Sequence, residues 1–366
     1  MTETLNSLNL SVRAEVALAL NFFIEGRFLY WAAAKEPENN AFLLLNGREP
    51  RAEFETELLE AYVSYKSPRF SIIAGNQIIG WGGTSFVNPV NQINPLDYRY
   101  GILTDEKLPY LPVPAVRIVK SFGIASVEAV FVPFFIPSRY SLAGRDYALF
   151  NGQAGAVQMP PVFTYAMGLL DQTVSYKVQP YFFATELPDE IPDNFSGGAR
   201  IMFDFTDVKL GFSYFYGFDR TPYAVFNKDM ALVLGKVFET GFDMAALLSL
   251  MADPDETEFR ESYQKILDEK IPVEDVYRSS YKRMHSAGFE GSATFGDFNL
   301  NLEAAFQPER TFYYSDLTPF RKPCLSSAAS LEYNHGTDFD LTLELSYLRL
   351  FDIEKGRDLL LIENDM

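Results

Sequence analysis

The sequence predicts an all-β protein, an antiparallel up-and-down transmembrane β-barrel, on three observations. Long stretches alternate apolar and polar residues with a period of two. Short turns and long connections between those stretches alternate along the chain. Large rings are abundant, with 33 Phe, 21 Tyr and 2 Trp among 366 residues.

Alternation is clearest at positions 8–20. Leu8, Leu10, Val12, Ala14, Val16, Leu18 and Leu20 fall on one side, with Asn9, Ser11, Arg13 and Glu15 on the other. A helix would scatter Leu8, Leu10 and Val12 around its circumference, so this is a strand. Three hairpins repeat the pattern. Ile201, Phe203 and Phe205 lead to a turn at Thr206 and Asp207, then back through Val208, Leu210, Phe212, Tyr214 and Tyr216. Phe289, Gly291, Ala293 and Phe295 lead to Gly296 and Asp297, then to Phe298, Leu300, Leu302, Ala304 and Phe306. Leu331 and Tyr333 lead to His335, Gly336 and Thr337, then to Phe339, Leu341, Leu343, Leu345 and Tyr347. Gly and Asp at such points are what tight hairpin turns require. Strands of about 9–11 residues cross a bilayer at the usual tilt, whereas soluble strands average ~5–6. Tyr214, Tyr216, Phe306 and Tyr347 lie near strand ends, as girdle aromatics do.

Short turns are expected at positions 21–26, 67–68, 121–123, 206–207, 296–297 and 335–337. Long connections are expected at 36–51, 82–111, 136–195, 218–276 and 308–323. Short turns belong on the periplasmic side of an outer-membrane barrel and long loops outside. The reading gives thirteen strands, the last at 359–363, and an odd number does not close a bacterial barrel. The expectation is therefore one barrel domain over residues 1–366, lacking an N-terminal strand and C-terminal strands. Within it, 218–276 forms a long insertion with helical segments at 243–250 and 256–267.

Charge and rare residues exclude several classes. With 31 Lys and Arg against 49 Asp and Glu, a net charge of -18 leaves nothing to neutralise nucleic-acid phosphates. Cys324 is the single cysteine and His285 and His335 the two histidines, so neither a disulfide nor a Cys- or His-rich metal site is expected. No cofactor is expected. No apolar run reaches the ~18 residues of a membrane helix, and positions 1–9 lack the basic start and apolar run of a signal peptide. His285 and Ser286 are neighbours on a strand and face opposite ways, so they form no nucleophile–base pair. The chain is not read as an enzyme. Glu53, Glu55 and Glu57 share one face and suit Ca²⁺, though a solvated lumen wall is the plainer reading.

The polar faces supply a candidate lumen lining: Arg13, Glu15, Arg200, Asp204, Glu290, Glu303, Glu332, Asp340 and Glu344, with Lys209 beside them. Seven acids against three bases favour cations in a pore, unless opposed charges pair and simply hold the wall.

The densest motif runs through Gly75, Gln77, Trp81 and Gly82, then Asn88-Pro89 and Asn94-Pro95-Leu96-Asp97. Two readings stay open. Such a loop can fold inward and narrow a pore, or it can be a capped extracellular loop with Trp81 at the membrane interface. Further motifs are Leu111-Pro112-Val113-Pro114-Ala115, Val132-Pro133-Phe134-Phe135, Gly198-Ala199-Arg200, Tyr214 to Asp219 with Pro222, and Tyr281-x-Arg283-Met284-His285-x-Ala287-Gly288. Together they resemble a family of Gram-negative outer-membrane β-barrels, a porin-like domain of unknown function often encoded beside RND-type transporters. The resemblance implies an outer-membrane location, the bilayer as partner, a periplasmic or inner-membrane transporter as a further partner, and no established catalytic residue. The function it suggests is passage of small or hydrophobic solutes, with 82–111 and 218–276 restricting the opening. The alternatives are a non-transporting surface-binding or structural barrel, and a soluble β protein that binds lipid or sugar.

Overall fold

A computed structural model describes residues 3–17, 19–33, 52–84, 87–97, 110–139, 183–189, 192–240, 243–271, 277–314, 318–335, 339–354 and 356–359. The expected connection at 36–51, positions 85–86 and 98–109 of the 82–111 connection, most of 136–195, the turn residues Gly336 and Thr337, and positions 360–363 lie outside the described residues.

The strands are β1 (Glu3–Ala17), β2 (Leu20–Ala33), β3 (Ala52–Ser67), β4 (Phe70–Gln77), β5 (Val113–Phe122), β6 (Ala125–Val132), β7 (Phe183–Glu186), β8 (Ser196–Phe205), β9 (Val208–Phe218), β10 (Tyr223–Phe226), β11 (Tyr277–Ser280), β12 (Arg283–Phe295), β13 (Phe298–Tyr313), β14 (Pro319–His335) and β15 (Phe339–Leu350). Twelve of them form one antiparallel up-and-down sheet, in the order β1-β2-β3-β4-β5-β6-β8-β9-β12-β13-β14-β15. The fold is the expected all-β barrel type. Among the described residues, the outer edges of β1 and β15 carry no strand partner.

Alternation explains the two faces. Directly paired residues point to the same side, and Leu10, Val12, Phe22, Ile24, Phe212, Leu302, Leu343 and Leu345 all point outward and are exposed. Tyr214, Tyr216, Phe306 and Tyr347 share this outer face. The inner face carries the charged residues and the buried core.

Several boundaries differ from the sequence reading. The first turn lies before Leu20, because Ala17 faces Leu20 and positions 21–26 belong to β2. Phe22 and Ile24 extend the greasy side opposite Ala14 and Val12, which no Gly or Asp announced. Positions 308–323 are mostly strand, with Arg310 paired to Lys322 and Tyr313 to Pro319. Pro308, which has no N–H to donate, sits in a register shift between Gln307 and Arg310, and the bulge lets the ladder resume. Leu359, the first residue of the strand expected at 359–363, makes an isolated bridge to Tyr314. A second, small sheet of β7, β10 and β11 was not anticipated, and the β7–β11 pair is parallel.

Among the described residues the insertion holds three helices: α1 (Lys228–Glu239), α2 (Met244–Ala252) and α3 (Thr257–Glu269). Asp243 caps α2 by accepting from the backbone N–H of Ala245 at 2.8 Å. The sequence reading missed α1, whose Met230 and Val233 are buried, as is Phe259 of α3. Asp229 of α1 accepts from the ammonium of Lys265 and, at 2.9 Å, from the hydroxyl of Ser262, both on α3. The Lys265 hydrogen bond is the largest influence, and it holds the Asp229 carboxyl below its ordinary value. A depressed carboxyl contributes stability above its ordinary value and loses it as pH falls through the depressed one. Acidification below about pH 4, the ordinary Asp range, should therefore loosen α1 against α3. Protection from hydrogen exchange over the described helices, taken relative to the intrinsic rate at each pH, should fall on acidification in the native chain, with a smaller change in Asp229→Asn.

Candidate functional site: a loop held across the inner face

The chain that leaves β4 does not stay at the rim. Residues 78–84 and 87–97 cross the inner face of the sheet, and Trp81, at 0% exposure, is buried there. The reading of Trp81 as a membrane-interface residue is overturned. It packs with Ile79, Val90, Ile93, Val113, Ala115, Val130, Val132, Phe215 and Met284. Gly198 makes room for it, since a Cβ there would lie 2.7 Å from the indole.

A buried backbone must find partners for its amides. Here wall carboxylates supply many of them. The Ile78 N–H donates to Glu60 at 3.1 Å and the Trp81 indole N–H to Glu128 at 3.1 Å. The Gly82 N–H donates to Glu290 at 3.0 Å. Oε1 of Glu303 accepts from the backbone of Gly83 (2.5 Å), the backbone of Thr84 (2.7 Å) and the Thr84 hydroxyl (2.8 Å). The Val87 N–H reaches Glu344 at 2.8 Å. These acceptors come from β3, β6, β12, β13 and β15, so the sheet curls around the loop as a barrel wall.

The loop also satisfies itself. The Asn94 carbonyl accepts from the Ile79 N–H at 2.8 Å, and its amide donates to the carbonyl of Leu111 at 2.8 Å. The Asn88 amide donates to the Trp81 carbonyl at 2.7 Å, and Gln77 donates to the Ala115 carbonyl at 2.8 Å. The Pro95 carbonyl accepts from the Leu111 N–H at 2.8 Å. Buried Asp97 lies 3.5 Å from Arg139, which also pairs with Glu57, and Glu57 with Arg27 at 2.5 Å. Arg220 donates to the carbonyls of Ile93 and Ile136, joining this loop to two other connections. Gly75 has a φ of +136° and lies so close to Tyr62 and the Ala61 carbonyl that no Cβ fits.

Charges on the wall are linked in a chain. Arg117 pairs with Glu128 at 2.7 Å, Arg200 with Glu128 at 2.9 Å, and Arg200 with Glu290 at 3.1 Å. Glu290 and Glu303 are direct cross-strand neighbours, a placement that repels unless each has its own counterpart. Glu290 has Arg200, and Glu303 has the loop donors. Oε2 of Glu303 is buried without a hydrogen-bond partner among the described residues.

The pairing puts eight of the nine expected lining residues on the face that carries the loop: Arg13, Glu15, Arg200, Asp204, Glu290, Glu303, Glu332 and Glu344. It does not leave them equivalent. Glu290, Glu303 and Glu344 hold the loop, while Arg13 and Glu15 are exposed on β1. Asp204 faces Lys209 at 3.3 Å with both more than half exposed, and such pairs contribute little. The Asp340 side chain lies outside the described residues. Glu55 and Glu57 have arginines beside them, and the side chain of Glu53 lies outside the described residues. Among the described residues, no cluster of three His, Cys, Asp or Glu could hold a metal. Sequence reasoning missed Glu60, Arg117, Glu128, Arg139 and Arg220. The adjacent motifs around 132–135 and 214–219 were the only signal for them.

Two substitutions test the clamp. Gly82 has a φ of +85°, and a Cβ on it would lie 2.6 Å from both Glu303 oxygens and 2.7 Å from Asn88 Oδ1. Gly82→Ala should displace the loop and cost about 1–3 kcal/mol in denaturant unfolding, through backbone strain alone. Glu303→Ala would leave the Gly83 and Thr84 amides unpaired at about 1–3 kcal/mol each, while the Thr84 hydroxyl keeps the Val87 carbonyl at 2.7 Å. Its reading is faster amide exchange at Gly83 and Thr84 with the rest of the sheet unchanged.

Among curated proteins no sequence matches this chain. Among solved structures it is similar to Salmonella typhi OmpF in complex with daunomycin, at 10% identity over 95% of this chain and 72% of that one, TM-score 0.42. It is also similar to Acinetobacter baumannii OccAB3, at 9% identity over 97% of this chain and 61% of that one, TM-score 0.39. Pseudomonas aeruginosa OpdK with vanillate is a third, at 8% identity over 93% of this chain and 61% of that one, TM-score 0.36. The chain thus spans about three fifths of the length of the last two. The motifs that first suggested a family converge on the inward loop: Val113, Ala115, Val132, Gly198, Phe215 and Met284 all pack on or beside Trp81. A family model, "Protein of unknown function (DUF1302)", matches residues 7–344, and the chain belongs to that family.

Proposed function

We propose that this protein is a porin-like channel of the outer membrane that passes small or hydrophobic solutes, with residues 78–97 as its constriction. One observation carries the reading: the sheet's outer face is an exposed apolar band, with charges such as Lys120 and Arg349 only near the strand ends, while the charges of the mid-strand wall lie on the inner face. Val12 is 69% exposed, Leu345 67% and Phe212 52%. Water-facing proteins rarely expose apolar patches beyond ~300–600 Å², and lipid is the medium such a band fits.

In this reading the six short turns lie on the periplasmic side and the long connections outside. The loop narrows the lumen, and its clamp sets how far. Arg13, Glu15, Asp204 and Glu332 remain to act on solutes, because Glu290, Glu303 and Glu344 are occupied by the loop. A periplasmic or inner-membrane transporter as partner rests on the family resemblance. No reacting group is assigned, and the role is passage without chemistry.

Planar-bilayer recording tests this. The full chain should give discrete ion-conducting steps, and Trp81→Ala, which removes the loop's anchor from the core, should enlarge them severalfold. Silence from both proteins in lipid, with their β structure intact, would remove the channel reading.

A further inference from the structure

The three helices of the insertion differ in what they do with apolar surface. α1 and α3 bury Met230, Val233 and Phe259 and are joined by the Asp229–Lys265 pair. α2, with the sequence Met-Ala-Ala-Leu-Leu-Ser-Leu-Met-Ala, has no buried residue. Met244 is 68% exposed and Leu248 64%. None of its nine residues is charged. Its large side chains occupy one side, and the rest is Ala and Ser.

We propose that α2 is a lipid-embedded lip: it lies in the interfacial zone of the bilayer that, on the channel reading above, surrounds the barrel. Three features favour lipid over a protein groove. A groove covers one side of a helix and leaves the other in water, where charged residues normally appear, and α2 has none. Nine residues make a helix about 14 Å long, too short to cross a hydrocarbon core of ~30 Å but suited to lying along its boundary. The acidic groups sit at its ends, at Asp243, Asp253 and Asp255, where they reach water while the body is immersed. Those acids give it no attraction to anionic headgroups. The contact is apolar burial, and it is indifferent to salt.

The experiment uses the full chain with Cys324→Ser, which removes the one native thiol. Leu248→Cys on α2 and Leu343→Cys on the outer face of β15 each carry an environment-sensitive fluorophore. Both are reconstituted in phosphatidylcholine vesicles, with and without a doxyl-labelled phosphatidylcholine quencher. The label at 248 should lose at least about half its emission to the quencher, as expected of a group ~5–10 Å inside the headgroup boundary. Molar salt should leave that loss unchanged. Quenching at 343 but none at 248 overturns this inference and spares the channel reading. That holds whether the 248 label is then open to aqueous iodide or shielded from it, shielding meaning that protein covers α2. No quenching at either position removes the membrane reading and this inference with it. Leu248→Asp, exposed and therefore tolerated by the fold, should lower quenching of a label placed at Met251→Cys.

Discussion

A loop inside a barrel must leave no amide unsatisfied, and that constraint organises the rest of this molecule. Residues 78–84 and 87–97 carry their N–H groups into a space walled by strands whose own backbone bonds are already spent. Side chains of the wall must accept instead, and long carboxylates reach furthest. Glu60, Glu128, Glu290, Glu303 and Glu344 do so from five strands. A carboxylate accepting from N–H forms a stronger bond than a neutral acceptor, so a few such contacts hold a long segment.

Using acids this way concentrates negative charge, and the wall answers in two ways. Arg200 lies between Glu128 and Glu290, and Arg117 completes the first pair. Glu303, directly opposite Glu290, is balanced by backbone donors of the loop. Wall and loop are therefore interdependent, because removing the loop exposes two facing carboxylates. At the loop's far end, Arg139 and Arg220 reach in from other connections to Asp97 and to the carbonyls of Ile93 and Ile136. The buried Arg200–Glu128 pair of the wall is costly to break from one side, as the partner left behind loses its counter-charge.

The outer face obeys the opposite rule. Its rows of Leu, Ile, Val and Phe offer no donor or acceptor beyond the backbone, which the neighbouring strands satisfy. His285 is an instructive exception: it points outward near the end of the band, with its Nδ1 2.6 Å from the Tyr214 hydroxyl, while Ser286 points into the core. The two stand back to back on β12, which is why no nucleophile–base pair forms there.

Period-two alternation by itself determined the strands, their faces and several turns. Thr206 and Gly296, both at positive φ, stand where the hairpin signals placed them. The pairing then set eight of the nine expected residues on one face, because alternation fixes parity and antiparallel pairing transmits it. Local signals failed where the chain departs from local rules. The turn between Ala17 and Leu20 has no Gly, Asp or Asn to mark it, Pro308 looks like a loop but is a bulge, and α1 looks apolar before it looks helical. Above all, the direction of Trp81 was undecidable from its neighbours. Its loop is held by Glu128, Glu290 and Glu303, which lie 47 to 220 positions away from their partners. Only the curl of the sheet brings those acids to one place. Binary pattern is a property of adjacent residues, whereas satisfying a buried amide depends on whatever the fold delivers opposite it.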